Sequence, residues 1–387
     1  MLNYFWWYAI VWTVVLVLYW LDLSDFNHPL DFGLVIFLVS TSLVALVLGW
    51  IFRKEFIFKK SDKAHISKVP ILLIFIGAML EFIHAGSIPL LSILSHTENY
   101  GDFQSLPGVH VAIVAAGLYY AIKCFYCILC KDKIVRKKYI LCYFAILGLF
   151  ALYYFRACIM IILFVSLNLF IANLRLNRKI NWKYIAGSIL VVFTSLYAYG
   201  GVGNLRHGYS WNDNSYIERL GRYKSFPDFI PKQFMWTYSY LTTPLANLND
   251  NVIRGNKKQD VGVLIGALLP NTVAKMVFDD NGDTGIYLDS RYRYFNAVTG
   301  WCKVFVGFGY LGMYILAMAM FLFGIYGVKT KSKDVTGKIV YIAIMGVVFC
   351  FMFFYDTLNY VAISLPMWAS LIVLAFFDKI RCLRRRF

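Results

Sequence analysis

Long apolar segments alternate with short polar connections along most of the 387-residue chain. A helix needs about 20 apolar residues to cross a hydrocarbon core roughly 30 Å thick. Ten segments approach that length: 3–21, 32–52, 69–90, 107–130, 139–155, 157–174, 184–200, 302–326, 338–355 and 359–377. The pattern predicts an all-α, polytopic integral membrane protein with about ten transmembrane helices.

The composition favours a membrane protein over a soluble one. Hydrophobic residues make up 60% of the chain and charged residues only 15%, which is more apolar surface than an ordinary soluble core can bury. In a soluble protein, the net charge of +17 would indicate nucleic-acid binding. The positions of the charges give a different explanation, and no nucleic-acid partner is expected.

Lys and Arg residues concentrate in every second connection. Five connections hold 24 of the 38: 53–68, 131–138, 175–183, 329–338 and 379–386. Three of the connections between them contain no Lys or Arg: 22–31, 91–106 and 356–358. Because this asymmetry follows the positive-inside rule, we expect the basic connections and both termini to be cytoplasmic.

The chain divides into three parts on this pattern. Residues 1–200 supply helices one to seven, residues 201–300 form one large external loop, and residues 301–387 supply helices eight to ten and a basic cytoplasmic tail. The apolar run 261–277 inside the loop is interrupted at Pro270. An eleventh crossing there would place the later basic connections outside, so we expect a short re-entrant or interfacial helix pair.

A single arginine, Arg156, lies at the expected outer tip of the hairpin formed by the fifth and sixth apolar segments. Snorkelling to the headgroups would explain it if it were alone. However, Arg206 follows the seventh segment, and Arg291 and Arg293 precede the eighth. Guanidinium groups keep their charge and bind phosphate in a bidentate manner. We therefore predict that the first three bind a lipid diphosphate, with Arg293 as a weaker fourth ligand.

Three stretches resemble one family of membrane enzymes. LEFIHAGSIPLLSILSHTENYGDFQSLPGVHV (80–111) resembles the third helix and following outer loop of O-antigen polymerases, the Wzy-type oligosaccharide repeat-unit polymerases. YLTTPLANL (240–248) resembles the tyrosine-to-proline motif of their large loop. YFNAVTGWCKVFVGFGYLG (294–312) is similar to the segment that leads into their next helix. With Arg156 and GNLR (203–206), these motifs occur in the family's order.

The resemblance covers roughly residues 70–312 and implies an enzyme of the bacterial inner membrane. Its plan would be that of O-antigen ligases and GT-C glycosyltransferases, with 201–300 as a periplasmic loop and a periplasmic active site. Such enzymes transfer the growing chain from undecaprenyl diphosphate onto the next carrier-linked oligosaccharide. The implied partners are that lipid-linked oligosaccharide, membrane lipid and a Wzz-type chain-length regulator.

Two alternatives share some of these features. An O-antigen ligase would use the same donor with a different acceptor, and the motifs favour the polymerase. A flippase or other transporter of lipid-linked saccharide typically has ionisable groups at the bilayer midplane and shows repeats or paired broken helices. Here the arginines gather at one predicted surface, and the sequence contains no internal repeat.

Three residues are candidates for the catalytic group that takes the acceptor proton. Glu81, an acid within the third segment, lies three residues before His84, so both are expected on nearly one helical face. His84 would then bind substrate, while Glu81 acts as the base or as the structural partner of a cation. Asp289 and His207, each close to a predicted site arginine, are the other candidates. His110 is interpreted as a buried polar contact.

The run QFMWTYSYLTTPLANLN (233–249) offers groups that hold sugars. Tyr240, beside an expected proline-containing turn, and Asn247 are the predicted substrate-binding residues, whereas Trp236 is expected in an interfacial aromatic belt. No metal or other cofactor is expected, because guanidinium groups can stabilise the leaving diphosphate. The acidic stretch 279–285 lacks the glycine and glutamate of a calcium loop and predicts a solvated turn.

Overall fold

A computed structural model describes residues 3–95, 103–176, 182–255, 260–278, 285–289, 294–330 and 334–383. Helices account for most of these residues, and no strand occurs among them, which confirms the all-α prediction. In chain order the helices are α1 (Tyr4–Trp20), α2 (Phe32–Ile51), α3 (Lys68–Ala85), α4 (Pro89–Leu94), α5 (Val109–Cys130), α6 (Lys133–Leu152), α7 (Arg156–Leu176), α8 (Trp182–Arg206), α9 (Ser215–Leu220), α10 (Phe234–Arg254), α11 (Val261–Leu268), α12 (Asn271–Phe278), α13 (Cys302–Lys329), α14 (Val335–Phe351) and α15 (Val361–Leu383).

Each of the ten apolar segments coincides with one of these helices. Five helices are long and apolar enough to cross a membrane: α2, α3, α5, α7 and α13. Three more are shorter apolar helices or contain one: α1, α14 and α15. These apolar helices indicate a multi-pass membrane protein.

The core lies around α1, which packs against α2, α10 and α14. Three large aromatic side chains of α1, Tyr4, Tyr8 and Trp12, are completely buried. The Tyr8 hydroxyl forms a hydrogen bond with Thr41 Oγ1 of α2 at 3.0 Å, and the Tyr8 ring meets Trp301 edge-on at 6.4 Å. Aromatic rings of this size provide much of the buried apolar area of a helical core.

The connections predicted to be external contact one another. An antiparallel bridge pairs Ser24 with Tyr223, which joins the connection 22–31 to the segment 201–300. The Lys224 amide donates to the Leu23 carbonyl at 2.9 Å in the same place. Both segments therefore lie at one end of the helices.

The basic connections contact one another at the other end of α2. The Tyr126 hydroxyl donates to the Lys59 carbonyl at 2.7 Å, and Lys131 Nζ donates to the Asp62 carbonyl. Lys329 Nζ lies 5.4 Å from the centre of the Phe52 ring, directly after α2. Since α2 has 20 residues, the two ends are separated by roughly 30 Å.

The main element of the large loop is α10, which is 21 residues long and mostly buried. The prediction of a proline-containing turn beside Tyr240 is wrong, because Pro244 lies inside this helix. Proline removes one helical hydrogen bond. The helix continues because its buried amides hold it to neighbouring segments; for example, Asn249 Nδ2 donates to the Pro29 carbonyl at 3.0 Å.

The predicted helix pair at 261–277 is confirmed as α11 and α12, which are separated by Leu269 and Pro270. The Asn359 side chain fixes this break by donating to the Gly266 and Leu269 carbonyls, each at 3.0 Å. In return, the Asn271 amide donates to the Asn359 carbonyl at 2.8 Å. The loop between α14 and α15 therefore packs against the helix pair.

Candidate functional site

Arg156 is the first residue of α7 and is separated from the end of α6 by three residues, so it lies at the tip of the predicted hairpin. Its side chain is exposed, and its Cζ lies 4.8 Å from the centre of the Tyr154 ring. A cation at a helix N-terminus opposes the helix dipole, and α7 has no acidic residue in its first turn. Helix stability therefore does not explain an arginine here.

The turn that presents Arg156 is held by Glu81. The Tyr153 hydroxyl donates to Glu81 Oε2 at 2.6 Å, and the Leu106 amide donates to Oε1 at 3.0 Å. His110 Nδ1 lies 3.1 Å from Oε2, so His110 is a polar contact of Glu81, but its side chain is half-buried and not buried as predicted. Both oxygens of this fully buried carboxylate have hydrogen-bond partners, as a structural anchor requires.

Glu81 and His84 lie three residues apart in α3, as predicted, but their surroundings differ. Glu81 is fully buried, whereas the His84 side chain is exposed. A three-residue offset leaves two side chains about 60° apart around a helix, which is enough to place one inside and one outside at a helix edge. The partner of Glu81 is His110 of α5.

The outer end of α8 approaches α10 very closely because it is rich in glycine. A Cβ atom on Gly200 would lie 2.0 Å from the Gln233 carbonyl oxygen. A Cβ atom on Gly203 would lie 2.8 Å from the Trp236 ring. Only glycine permits this contact, which carries the end of α8, and with it Arg206, onto the start of α10.

Asn204 joins the end of α8 to the rest of the loop. It is completely buried, and its Oδ1 accepts a hydrogen bond from Trp236 Nε1 at 2.8 Å. Its Nδ2 donates to the Trp211 carbonyl at 3.1 Å and to Asn214 Oδ1 at 2.9 Å. Trp236 is thus an interior residue, 4% exposed, and its predicted place in an interfacial belt is wrong.

An aromatic platform, made of His207, Tyr216, Trp236 and Tyr240, lies beside Arg206. The His207 ring stacks on Tyr216 at 4.3 Å and on Trp236 at 5.5 Å, and the Tyr216 and Trp236 rings lie 6.2 Å apart. Trp236 stacks in turn on Tyr240 at 6.4 Å. Ligand sites are typically lined by aromatic and apolar side chains together with a few polar groups.

Tyr199 lies near both of the predicted site arginines that fall within the described residues, Arg156 and Arg206. Its hydroxyl lies within Coulombic range of both the Arg156 and the Arg206 guanidinium groups. Its ring meets Tyr240 of the aromatic platform edge-on at 5.6 Å. Two cations from distant parts of the chain therefore lie near one hydroxyl, although like charges repel and are placed together at an energetic cost.

The surroundings of His207 disfavour its protonated form. Burial lowers its pKa below the ordinary value of 6.5, and the adjacent Arg206 guanidinium lowers the pKa further. A neutral imidazole can accept a proton or a hydrogen bond. His207 thus keeps the chemical capacity of a base, while its ring is part of the platform.

The remaining predicted residues lie in different surroundings. Arg291 and Arg293 lie outside the described residues, as does most of the acidic stretch 279–285. Asp289 follows Tyr287, whose amide donates to Asn251 Oδ1 of α10 at 2.8 Å. Asn247 is buried and donates to the Phe295 and Ala297 carbonyls at 2.9 and 2.7 Å.

Sequence reasoning missed Asp356 in the loop between α14 and α15. Burial raises the pKa of its carboxyl group to about 7, against the lowering effect of the Lys303 ammonium group. Its Oδ2 atom is buried and has no hydrogen-bond partner in the described part of the chain. The signal was available, because Asp356 is the one acid in the three-residue outer connection 356–358 between two apolar segments.

The described residues contain no group of His, Cys, Asp and Glu side chains that could hold a metal ion. Cys124 and Cys127 are buried and free, in agreement with ordinary packing. A comparison with protein-family models, curated proteins and solved structures finds no match to this chain. The class that the fold and its composition define is therefore a helical, multi-pass membrane protein.

Proposed function

We propose that this protein is a Wzy-type polymerase, which joins undecaprenyl-diphosphate-linked oligosaccharide units by glycosyl transfer on the periplasmic face of the inner membrane. In this proposal the ten apolar helices cross the membrane in a GT-C-like plan. The observation that carries the proposal is the convergence of Arg156 and Arg206 on Tyr199, beside the aromatic platform.

The chemistry of the transfer matches these groups. The departing diphosphate develops negative charge, which fixed guanidinium groups stabilise without a metal ion. The first amides of α7 point toward the same region as Arg156 and add to the positive potential. The platform residues would hold the sugar ring that is attached to the diphosphate.

The position of the arginines favours an enzyme over a transporter. Arg156 begins one helix and Arg206 ends another, so neither charge lies in the middle of an apolar helix. Glu81, the buried acid that holds the turn before Arg156, is occupied by three hydrogen bonds and is not a free ion-binding group. Transport pathways typically need ionisable groups near the bilayer midplane.

Complementation of a deletion strain tests the proposal. Arg156→Ala and Arg206→Ala should each lower polymer formation by at least about 100-fold, the effect of losing one charge-stabilising donor. Arg175→Ala is the matched control, because Arg175 is exposed at the opposite end of α7 and should leave polymer unchanged.

The glycolipids of the strain distinguish the outcomes. Single-repeat lipopolysaccharide in the deletion strain and in both arginine variants supports the polymerase. Free, unattached polymer would indicate a ligase, and lipid-linked units retained on the cytoplasmic side would indicate a flippase. Either of these results, or normal polymer in both variants, overturns the proposal.

A further inference from the structure

The loop 352–360, between α14 and α15, borders the candidate site on two sides. Phe354 meets the Tyr240 ring of the aromatic platform at 6.0 Å. The Tyr360 hydroxyl lies 3.9 Å from Cys158 Sγ, two residues after Arg156 in α7. Residues on both sides of Asp356 thus contact the two elements that carry the platform and Arg156.

Among the described residues, only one oxygen of the Asp356 carboxylate accepts a hydrogen bond. Its Oδ1 accepts a hydrogen bond from the Asn359 amide at 3.3 Å, and its carbonyl accepts from the Tyr360 amide at 2.9 Å. Its Oδ2 is buried without a partner among the described residues. A buried acceptor without a donor is costly and calls for an explanation.

Two charged or titratable groups act on Asp356 among the described residues: Lys303 of α13 lies within Coulombic range, and Tyr355 precedes Asp356 in the loop. The other acids discussed as bases differ from it. Glu81 has partners on both oxygens, and Asp289 lies in the segment held by Asn251.

We propose that Asp356 is the general base of the transfer reaction, and that its free oxygen takes the proton of the attacking sugar hydroxyl. The inference rests on the proposed glycosyl transfer. In that step the hydroxyl oxygen forms a bond with the anomeric carbon of the donor. The bond between this carbon and the diphosphate oxygen breaks, its electron pair leaves with the diphosphate, and the hydroxyl proton passes to Asp356.

The Asp356→Asn variant distinguishes a catalytic role of Asp356 from a structural one. Asparagine can accept the hydrogen bond from the Asn359 amide as aspartate does, so the loop keeps its turn. It cannot accept a proton. Asp356→Glu keeps a carboxyl group on a longer side chain, and Asp25→Asn is a control with an exposed acid in another outer connection.

The assay uses full-length protein in phospholipid vesicles, with lipid-linked units extracted from the deletion strain as donor and acceptor. Asp356→Asn should lower the elongation rate at least about 100-fold, with an unchanged KM for the donor, as expected for a general base. Asp356→Glu should retain a reduced rate, and Asp25→Asn the wild-type rate.

The pH profile adds a readout that a structural role would not move. The wild-type rate should rise through about pH 7, because burial raises the pKa of Asp356 to about 7 and only the carboxylate accepts a proton. The rising limb should be absent from Asp356→Asn and present in Asp356→Glu. A limb below pH 6.5 would point to His207, whose pKa is lowered, and would overturn the inference.

The outcomes for the two proposals differ. If Asp356→Asn elongates at the wild-type rate while Arg206→Ala is inactive, Asp356 is not the base. The proposed transfer reaction then still stands. Extracted units that the wild-type protein does not elongate overturn the proposed function itself. If the Asp356→Asn variant does not fold, the pH profile of the Asp356→Glu variant tests the inference instead. A profile of Asp356→Glu without a rising limb near pH 7 contradicts the role of Asp356.

Discussion

The Tyr153 hydroxyl donates a 2.6 Å hydrogen bond to Glu81, a fully buried carboxylate 72 residues earlier in the chain. This contact joins α3 to the turn between α6 and α7, where Tyr154 has a left-handed backbone (φ 60°) that costs an L-residue about 1 kcal/mol or more. Tyr153 also stacks on Phe155 at 4.9 Å. Glu81 therefore fixes the position of Arg156 without contacting it.

Removal of this contact should destabilise the turn that presents Arg156 and have a smaller effect on the chemical step. Tyr153→Phe loses a hydrogen bond to a charged group, which contributes about 1.5–3 kcal/mol. Glu81→Gln should lower stability further, because the carboxylate also accepts from His110 and Leu106. Both variants should raise the KM for the lipid-linked donor more than they lower kcat, since Arg156 is displaced and the reacting groups remain.

Thermal melting in detergent and steady-state kinetics check this prediction. Glu218→Gln is the matched control, because Glu218 forms a solvent-exposed ion pair with Lys232 and such pairs contribute about 0–1 kcal/mol. The double variant should be less destabilised than the sum of the two single ones, since they share one contact. Glu81→Gln with normal melting, normal KM and no turnover would show that Glu81 is the base.

The close approach of α8 to α10 makes a second prediction. Gly200→Ala would place a methyl group 2.0 Å from the Gln233 carbonyl, and rigid backbone on both sides leaves little room for relaxation. Overpacking of this kind costs about 1–3 kcal/mol or more. We expect a lower melting temperature and reduced elongation, because Arg206 and His207 follow directly after this contact.

Gly187 provides the comparison within the same helix. A Cβ atom there would meet nothing within 4 Å, and alanine is about 1 kcal/mol better than glycine inside a helix. Gly187→Ala should therefore melt at or above the wild-type temperature and retain activity. Equal melting temperatures and elongation rates of Gly200→Ala and Gly187→Ala would mean that α8 does not need its close contact with α10.

The positions of the helices were predictable, because each long apolar segment needs a helix to satisfy its backbone in lipid. The helix α10 was missed because its polar residues, such as Asn249 and Asn251, resemble those of a loop. Only tertiary contacts show that their amides are buried and hydrogen-bonded to neighbouring segments.

The candidate site was predictable only in part, because some of its residues lie at helix ends and others act through tertiary contacts. Guanidinium groups at expected helix ends indicated Arg156 and Arg206, and the structure brings both near Tyr199. The residues that support them, Asn204 and Tyr153, act through contacts with distant segments that no local pattern reveals. The aromatic pattern of 233–249 likewise could not distinguish an interfacial Trp236 from a buried one.

The stacked His207 should make stability depend on pH in a defined direction. Burial and Arg206 lower the pKa of His207 in the folded protein below 6.5, so the unfolded chain binds the proton more tightly. The free energy of unfolding therefore rises with pH, and the contribution of His207 is complete above pH 6.5. It is lost as the pH falls below that value, because protonation favours the unfolded state.

His207→Phe isolates this effect. Phenylalanine keeps an aromatic ring against Tyr216 and Trp236 but does not titrate, so the platform remains stacked. Between pH 7 and pH 5, the melting temperature of the wild-type protein should fall more steeply than that of His207→Phe. Parallel curves would mean that the imidazole is as easily protonated in the folded protein as in the unfolded chain, and that Arg206 does not act on it.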